Sequence, residues 1–442
     1  MRVALTTLGC RLNQFETDAM QKMLEGAGFQ TVEFSQEADI YVVNTCTITH
    51  EADGDSRQMV RRAVRRNPKA LVVVTGCYAQ AEPERVASIP GVGLVLGNVE
   101  KAHLLDYLKA LPPGGRVQVA VGGFQKRQPF LTLQPATRLG RSRAYLKVQD
   151  GCNYRCAFCI VPQVRGPNRS LPVKEVLRQL DDLVEAGVPE VVLTGIHLGT
   201  YGRDLSPPTS LAKLVEAMLP RLRMARLRLS SLDPHEVQED LIRLFQEQPE
   251  KLCRHLHLPL QSGDPKILRL MRRAHTAGDF RQLVLHLAEA VPGIAIGSDI
   301  IVGFPGEGDE EFQNTYRLLE SLPIAYLHVF SYSRRTGTEA AGMKGQVSKE
   351  VKAERSRALR ALSARKAMAF RRHFVGQVLP VVVLNERDKG TGNLVGLSDN
   401  YIKVLFQGPD TLKHRWTPVE IQKATGFGAE GKVLEAFESP TS

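Results

Sequence analysis

Along the first hundred positions, short apolar runs alternate with longer segments of mixed polarity. Arg2–Leu8, Ala38–Thr45, Ala70–Thr75 and Gly93–Leu96 read as strands. Gln14–Gly26 and His50–Asn67 read as helices between them. Strand and helix in alternation predict a parallel α/β sheet. Residues 111–140 break the pattern. Pro112, Pro113, Gly114, Gly115, Gly122 and Gly123 punctuate them without a helical period, so they read as a connector. A second alternating series fills residues 141–347. Its strands are Ala144–Gln149, Glu190–Leu193, Arg226–Ser230, His255–Leu258, Ala295–Ile301 and Tyr326–Ser331, with helices at Val173–Ala186 and Pro265–Ala290. Six βα steps are two short of a closed eight-fold barrel, so an open, partial barrel is expected. Residues 348–374 read as a basic helical linker. Beyond Gly376 the runs Val378–Leu384, Tyr401–Phe406 and Gly431–Ala436, punctuated by Gly, Asn and Asp, predict a small β-barrel over residues 375–442. The expected units are therefore 1–110, 111–140, 141–347, 348–374 and 375–442.

Composition adds limits. No apolar run is long enough to span a bilayer. The opening Met1–Cys10 is too short and polar for a secretory signal, which places the protein in the cytoplasm. Lys and Arg number 58 against 47 acids, a net charge of +11 that suits a polyanionic partner. Arg61 and Arg65, and Arg62 and Arg66, stand at i, i+4 on one expected helix, so two basic rows form beside Arg57. With Arg272 and Arg273 they are the candidate RNA contacts.

Seven cysteines in a chain of this kind do not describe a disulfide framework. Cys152, Cys156 and Cys159 have the spacing Cys-x3-Cys-x2-Cys, three thiols with no fourth nearby. A structural zinc takes four protein ligands, and a four-iron cluster usually takes four cysteines. Three leave one metal corner open, where a cofactor or substrate binds; a catalytic zinc with bound water meets the same count. Cys10, Cys46 and Cys77 each stand just past the carboxyl end of an expected parallel strand, the edge where open α/β sheets bind ligands. Gly9 and Gly76 precede two of them and let the backbone turn closely. These three form a second open set. Cys253 has no partner at a useful spacing and reads as a packed core residue.

The Cys152–Cys159 loop, placed after the first strand of a βα series, resembles the radical S-adenosylmethionine enzymes. The resemblance implies a four-iron, four-sulfur cluster on these three thiols, its open iron chelated by the amino and carboxyl groups of S-adenosylmethionine. Adding Cys10, Cys46 and Cys77 narrows the resemblance to the methylthiotransferases. That implies a second, auxiliary four-iron cluster and a C-terminal TRAM-like RNA-binding barrel. The strings Thr7–Asn13, Asn44–Thr49, Gly76–Gln80, Leu193–His197 and His328–Thr338 look like the branch acting on threonylcarbamoyladenosine in tRNA. Isopentenyladenosine in tRNA and a ribosomal-protein aspartate are the family's other substrates. The implied reaction consumes two S-adenosylmethionine molecules, one as methyl donor and one as radical source, and inserts a methylthio group at C2 of the adenine beside the anticodon. Implied cofactor contacts are Phe158 near the adenine and Thr194 and Gly195 near the methionine amine. Ser230, Ser231 and Gln261 are implied for ribose and carboxylate, and Ile301 and Gly303 for the adenine flank. Implied partners are the tRNA anticodon stem-loop, a flavodoxin- or ferredoxin-like electron donor and a sulfur source. A non-enzymatic iron–sulfur RNA-binding regulator would share the clusters and basic surface but lack the S-adenosylmethionine pocket.

Overall fold

A computed structural model describes residues 1–111, 116–125, 128–135 and 142–434. Pro112, Pro113, Gly114 and Gly115 of the expected connector lie outside the described residues, as does the end of the expected run Gly431–Ala436.

Six parallel strands make the N-terminal sheet, in the order Gln30–Val32, Arg2–Thr7, Ile40–Thr45, Leu71–Gly76, Val92–Leu96, Gln118–Ala120. Alternate residues serve opposite faces. Ala4, Tyr41, Val43, Val72 and Val74 pack with Val60 of the helix His50–Arg66. Val3, Ile40, Val42 and Val73 pack on the other face with Met20 and Leu24 of the helix Arg11–Gly26. A sheet covered on both faces needs near-continuous apolar strands, and Ile40–Thr45 is buried at every position. Two edge strands depart from expectation. Gln30–Val32 was not anticipated, and Gln118–Ala120 lies inside the expected connector. Each has three residues, too few for any periodicity to register.

Two three-stranded parallel sheets follow: Arg226–Leu229, Glu190–Thr194 and Arg143–Lys147, then His255–His257, Ala295–Val302 and Tyr326–Ser331. Single bridges, Leu227 to Leu252 and Ser231 to His257, join them into one open six-stranded curve. The expected helix Pro265–Ala290 is two helices, Pro265–Leu270 and Ala277–Ala290. Arg272 at φ 56° turns the chain between them. Thr276 caps the second: its hydroxyl accepts from Asp279 N (3.1 Å), and the Asp279 carboxylate accepts from Thr276 N (2.9 Å).

Helix Lys349–His373 leads to a closed five-stranded barrel of Val378–Arg387, Leu394–Ser398, Lys403–Phe406, Ala429–Val433 and Trp416–Ala424. Its interior holds Phe374, Val381, Val383, Val404, Phe406 and Val419. Leu394–Ser398 and Trp416–Ala424 were not expected as strands. Proline argues against a central strand, yet Pro418 sits opposite Pro380 in the ladder. The barrel docks back on the curve: Arg228 donates to the carbonyls of Ser398 (3.1 Å) and Asp399 (2.9 Å), and Trp416 Nε1 to Pro189 O (2.8 Å).

Candidate metal centre and reaction cavity

The N-terminal thiols stand where three neighbouring strands end. Cys10 caps the start of helix Arg11–Gly26, Cys46 follows Ile40–Thr45, and Cys77 begins the turn after Leu71–Gly76. Gly9 has φ 97°, and a Cβ there would lie 2.7 Å from Cys46 Cβ and 2.8 Å from its Sγ. Gly76 also has φ 97°, and a Cβ there would lie 2.4 Å from the Thr45 carbonyl. Only glycine permits both the conformation and the approach. Burial pushes the Cys46 thiol up to about 12, and the charges of Cys77 and Cys10 add to it. The Cys10 thiol is likewise raised by surrounding protein, with Arg165 opposing and Cys77 adding. Yet Cys10 is exposed by surface area. A side chain on the wall of a solvent-open recess has both properties.

The second set lies on the loop between Asp150 and helix Val161–Arg165. Cys159 N donates to Cys156 O (3.0 Å). Burial pushes Cys159 up to about 12, with Cys156 and Cys152 adding. Burial also raises the Cys156 thiol, and Arg273 opposes it. Arg273 Nη1 donates to Cys156 Sγ (3.6 Å), and His197 Nδ1 stands 3.2 Å from Cys152 Sγ. Against the effect of burial, Cys152 and Glu236 raise His197 to about 9, so it is a cation at neutral pH. Two sets of three clustered thiols suit soft, thiolate-binding metal centres.

The two sets adjoin. Cys77 packs with Ile160 and Val164 in one apolar cluster, and Ile160 directly follows Cys159 in the chain. A cavity of about 200 Å³ is lined by Ile48 and Thr49 from the N-terminal sheet unit and by Phe158, Cys159, Gln261, Asp299 and Ile301 from the barrel curve. Ile48 and Phe330 form a half-exposed apolar lip on it.

Beneath the N-terminal thiols lies a buried charge network that the linear sequence did not disclose. Arg165 donates to Glu16 (2.5 Å), Asn13 (2.5 Å) and, through Nε, to Cys77 Sγ (3.4 Å). Glu16 also pairs with Lys101 (2.6 Å) and Lys147 (2.9 Å). Asp150 pairs with Lys147 (2.7 Å) and Arg169 (3.4 Å). Although burial opposes it, Arg165, Lys101 and Lys147 hold the Glu16 carboxyl well below the usual range. The available signal was Asn13 and Glu16, polar residues on the core-facing side of an amphipathic helix.

Of the expected cofactor contacts, Phe158, Gln261 and Ile301 line the cavity. Gln261 does so in the left-handed region, at φ 71°. Thr194 is buried, and Gly195 abuts Gln149, where a Cβ would lie 2.8 Å from Oε1. Ser230 is buried and Ser231 exposed. Neither serine, nor Thr194 nor Gly195, lines this cavity. Gly303 is turned under Lys352, where a Cβ would meet Cγ at 2.3 Å, so it serves helix packing. Arg61, Arg62 and Arg65 are exposed, whereas Arg66 donates to Phe34 O and Arg57 to Tyr78 Oη (3.0 Å). Arg272 is exposed and paired with Glu339 (2.9 Å). Arg273, expected as an RNA contact, is placed differently from the exposed arginines. It is largely covered and faces Cys156 and Asp233, because the break after Leu270 turns it inward. Cys253 is buried in the core, as expected.

Comparison with known proteins fits this geometry. The model of the uncharacterized protein family UPF0004 matches residues 2–97, and that of the Radical SAM superfamily residues 146–319. Threonylcarbamoyladenosine tRNA methylthiotransferase MtaB of Bacillus subtilis (strain 168) is 40% identical over 440 residues, 99% of this chain and 97% of its own length. The tRNA-2-methylthio-N(6)-dimethylallyladenosine synthase of Clostridium tetani (strain Massachusetts / E88) is 30% identical over 434 residues, 97% of this chain and 95% of its own. The radical S-adenosylmethionine methyltransferase TsrM of Kitasatospora setae shares the fold, with a TM-score of 0.55 at 16% identity over 77% of this chain and 76% of its own. With paired thiol sets at strand ends, a Radical SAM match over the open curve and full-length relatives at this identity, the chain belongs to the radical S-adenosylmethionine tRNA methylthiotransferases, a family that works with a four-iron, four-sulfur cluster and S-adenosylmethionine.

Proposed function

We propose that this chain inserts a methylthio group at C2 of threonylcarbamoyladenosine, next to the anticodon of tRNA, using two S-adenosylmethionine molecules and two four-iron clusters. Cys152, Cys156 and Cys159 would hold the radical cluster, and Cys10, Cys46 and Cys77 the auxiliary one. The observation that carries this reading is the packing of Cys77 against Ile160, the residue after Cys159, beside a cavity that Cys159 lines and whose walls come from both units. When bound, the clusters supply one-electron chemistry on S-adenosylmethionine and an iron site for the sulfur that is transferred. The chain's own residues bind, orient and shield. Arg273 and His197 fix Cys156 and Cys152 in place. Phe158, Gln261 and Ile301 form the cofactor wall, with Thr194, Gly195, Ser230 and Ser231 further along the strand ends. An adenine must leave its stack to reach this cavity, and the Ile48–Phe330 lip offers it an apolar seat.

The units at 1–110, 141–347 and 375–442 would carry the auxiliary cluster, the radical chemistry and part of the RNA contact, respectively. The linkers at 111–140 and 348–374 would join them. Arg61, Arg62, Arg65, Arg66 and Arg272 are the proposed RNA contacts. An electron donor of the flavodoxin or ferredoxin kind and a source of replacement sulfur complete the partners. Among the described residues no helix is long and apolar enough to cross a membrane, consistent with work on cytoplasmic tRNA.

Bulk tRNA from a strain lacking this gene tests the reading. Nucleoside digests should lose methylthio-threonylcarbamoyladenosine and retain threonylcarbamoyladenosine; persistence of the methylthio nucleoside excludes the proposal. Cys152→Ala should abolish 5′-deoxyadenosine formation and product, whereas Cys46→Ala should keep some 5′-deoxyadenosine formation and lose thiolation. Full thiolation by Cys46→Ala would remove the auxiliary site.

A further inference from the structure

We infer that Arg11 is a specificity-determining residue that binds the carboxylate of the threonyl group on the substrate base; the inference rests on the function proposed above. Arg11 directly follows Cys10 at the start of helix Arg11–Gly26 and is half-buried. Its Nη2 donates to Tyr401 Oη (2.9 Å), and its guanidinium lies 6.0 Å from the Tyr401 ring centroid. Tyr401 belongs to the C-terminal barrel unit and is held at φ 69°. Among the described residues, no carboxylate stands within ion-pair distance of Arg11. The buried arginines Arg165, Arg228, Arg335 and Arg355, and the largely covered Arg273, differ: each faces one. A guanidinium has five N–H donors and no acceptor. Against a single neutral phenol, Arg11 keeps both its charge and most of its donors available.

Its surroundings lead to the reaction cavity. The Arg11 charge reaches His255 and Tyr326. After burial and Arg228, it is a cause that holds His255 well below its ordinary value. Tyr326 Oη lies 2.8 Å from His255 Nε2 and 3.2 Å from His257 Nδ1. His257 Nε2 is 2.8 Å from Asp299 Oδ1, and His328 Nδ1 is 3.2 Å from the same oxygen. Asp299 lines the cavity beside Cys159, two residues before Ile301 and so about 7 Å along the strand. Tyr326, His328 and Tyr401 line a second cavity of about 400 Å³, linked to the first through the His328–Asp299 contact. Arg143, Arg371 and Lys403 face that cavity with one acid, Glu386.

The chemistry of the two substrate branches differs at this end of the base. Threonylcarbamoylation adds a urea, a hydroxyl and a carboxylate at N6, whereas dimethylallylation adds a neutral apolar group. An unpaired guanidinium selects for the first and penalises the second, because burying it without an anion costs desolvation. A carboxylate would take paired N–H donors from Arg11. Asp299, His257 and His328 would serve the urea and hydroxyl.

An RNA phosphate would also satisfy the guanidinium, and the test separates the two. The iron-loaded full chain is titrated, without S-adenosylmethionine, with an anticodon stem-loop carrying threonylcarbamoyladenosine or its methyl ester, followed by fluorescence anisotropy. Wild type should bind the acid at least about tenfold more tightly than the ester, the scale of a charge-assisted hydrogen bond. Arg11→Gln should bind both at the ester's level, and Arg11→Lys should restore part of the preference. Equal binding of acid and ester by wild type overturns the inference, even where a variant loses iron. So does a variant that weakens both RNAs equally, which would assign Arg11 to a phosphate. Methylthiolation is assayed separately. A wild type that prefers the acid but never thiolates it removes the proposed function and leaves the carboxylate contact standing.

Discussion

Arg165 ties the N-terminal thiols to the segment that follows the second thiol loop. It is fully buried, follows the Cys152–Cys159 loop by one short helix, and aims Nε at Cys77 Sγ. Four cations, Lys101, Lys147, Arg165 and Arg169, surround two carboxylates, Glu16 and Asp150. Such an excess of buried positive charge is costly unless other anions balance it. Thiolates bound to a cluster at Cys10, Cys46 and Cys77 would do so. Arg165→Met should therefore lower the iron content of anaerobically prepared protein from about eight to about four per chain, with circular dichroism unchanged. Unchanged iron would show that the network serves folding alone. Glu16→Gln leaves three cations facing a neutral amide and should cost about 3–5 kcal/mol in denaturant unfolding. The cysteines were legible in the sequence because their spacing and strand-end positions are local signals. Arg165 and Glu16 were not, because the partners lie 149 residues apart and neither sits in a motif.

At the scale of elements, the strands of the two parallel systems were legible to within a residue or two, since burial on both faces leaves unbroken Ile, Val and Leu runs. What escaped were edges and interruptions: the three-residue strands, the break after Leu270, and the barrel strands Leu394–Ser398 and Trp416–Ala424. How the barrel docks also lay beyond pattern reading. It depends on Glu190, which opens the strand Glu190–Thr194 between Arg143 (2.6 Å) and Arg228 (2.9 Å). Burial alone would raise the Glu190 carboxyl, but Arg228 and Arg143 bring it down to about 2. A glutamate depressed in the folded state contributes stability above its unfolded value of about 4.3, and loses it as pH falls toward the folded value. Docking should thus weaken between about pH 4.3 and 2. The sole tryptophan, Trp416, reports on it, because its indole N–H is bonded to Pro189 O beside Glu190. Acidification through that window should shift its emission toward the exposed value. In Glu190→Gln, docking should already be weakened at neutral pH and the acid transition flattened. Emission constant to pH 2 would show that other contacts hold the barrel.

Across the whole molecule, buried ion pairs fix the units against one another, and this gives the basic surface a direction. Helix His50–Arg66 is capped by Thr49, whose hydroxyl accepts from Ala52 N (3.1 Å). It is locked to the barrel curve by Asp53 with Arg335 and by His50 N donating to Ser333 Oγ (3.1 Å). Ser333 and Thr49 both line the reaction cavity. The exposed guanidiniums of Arg61, Arg65 and Arg62 are therefore carried on a rigid element that starts at the cavity mouth. Net charge alone predicted a polyanion, but only this lock says where the polyanion would lie. Each phosphate contact removed should lower the slope of log affinity against log salt by about 0.7–0.9. Arg61→Ala with Arg65→Ala should reduce the slope by roughly 1.4–1.8 between about 50 and 200 mM salt. Because phosphates carry no information about the modified base, the loss should be equal for a stem-loop with threonylcarbamoyladenosine and one with plain adenosine. An unchanged slope would place the RNA on another face. A loss confined to the modified RNA would mean that these arginines read the base, which their distance along the helix from Thr49 argues against: Arg65 is sixteen residues on, about 24 Å at the helical rise.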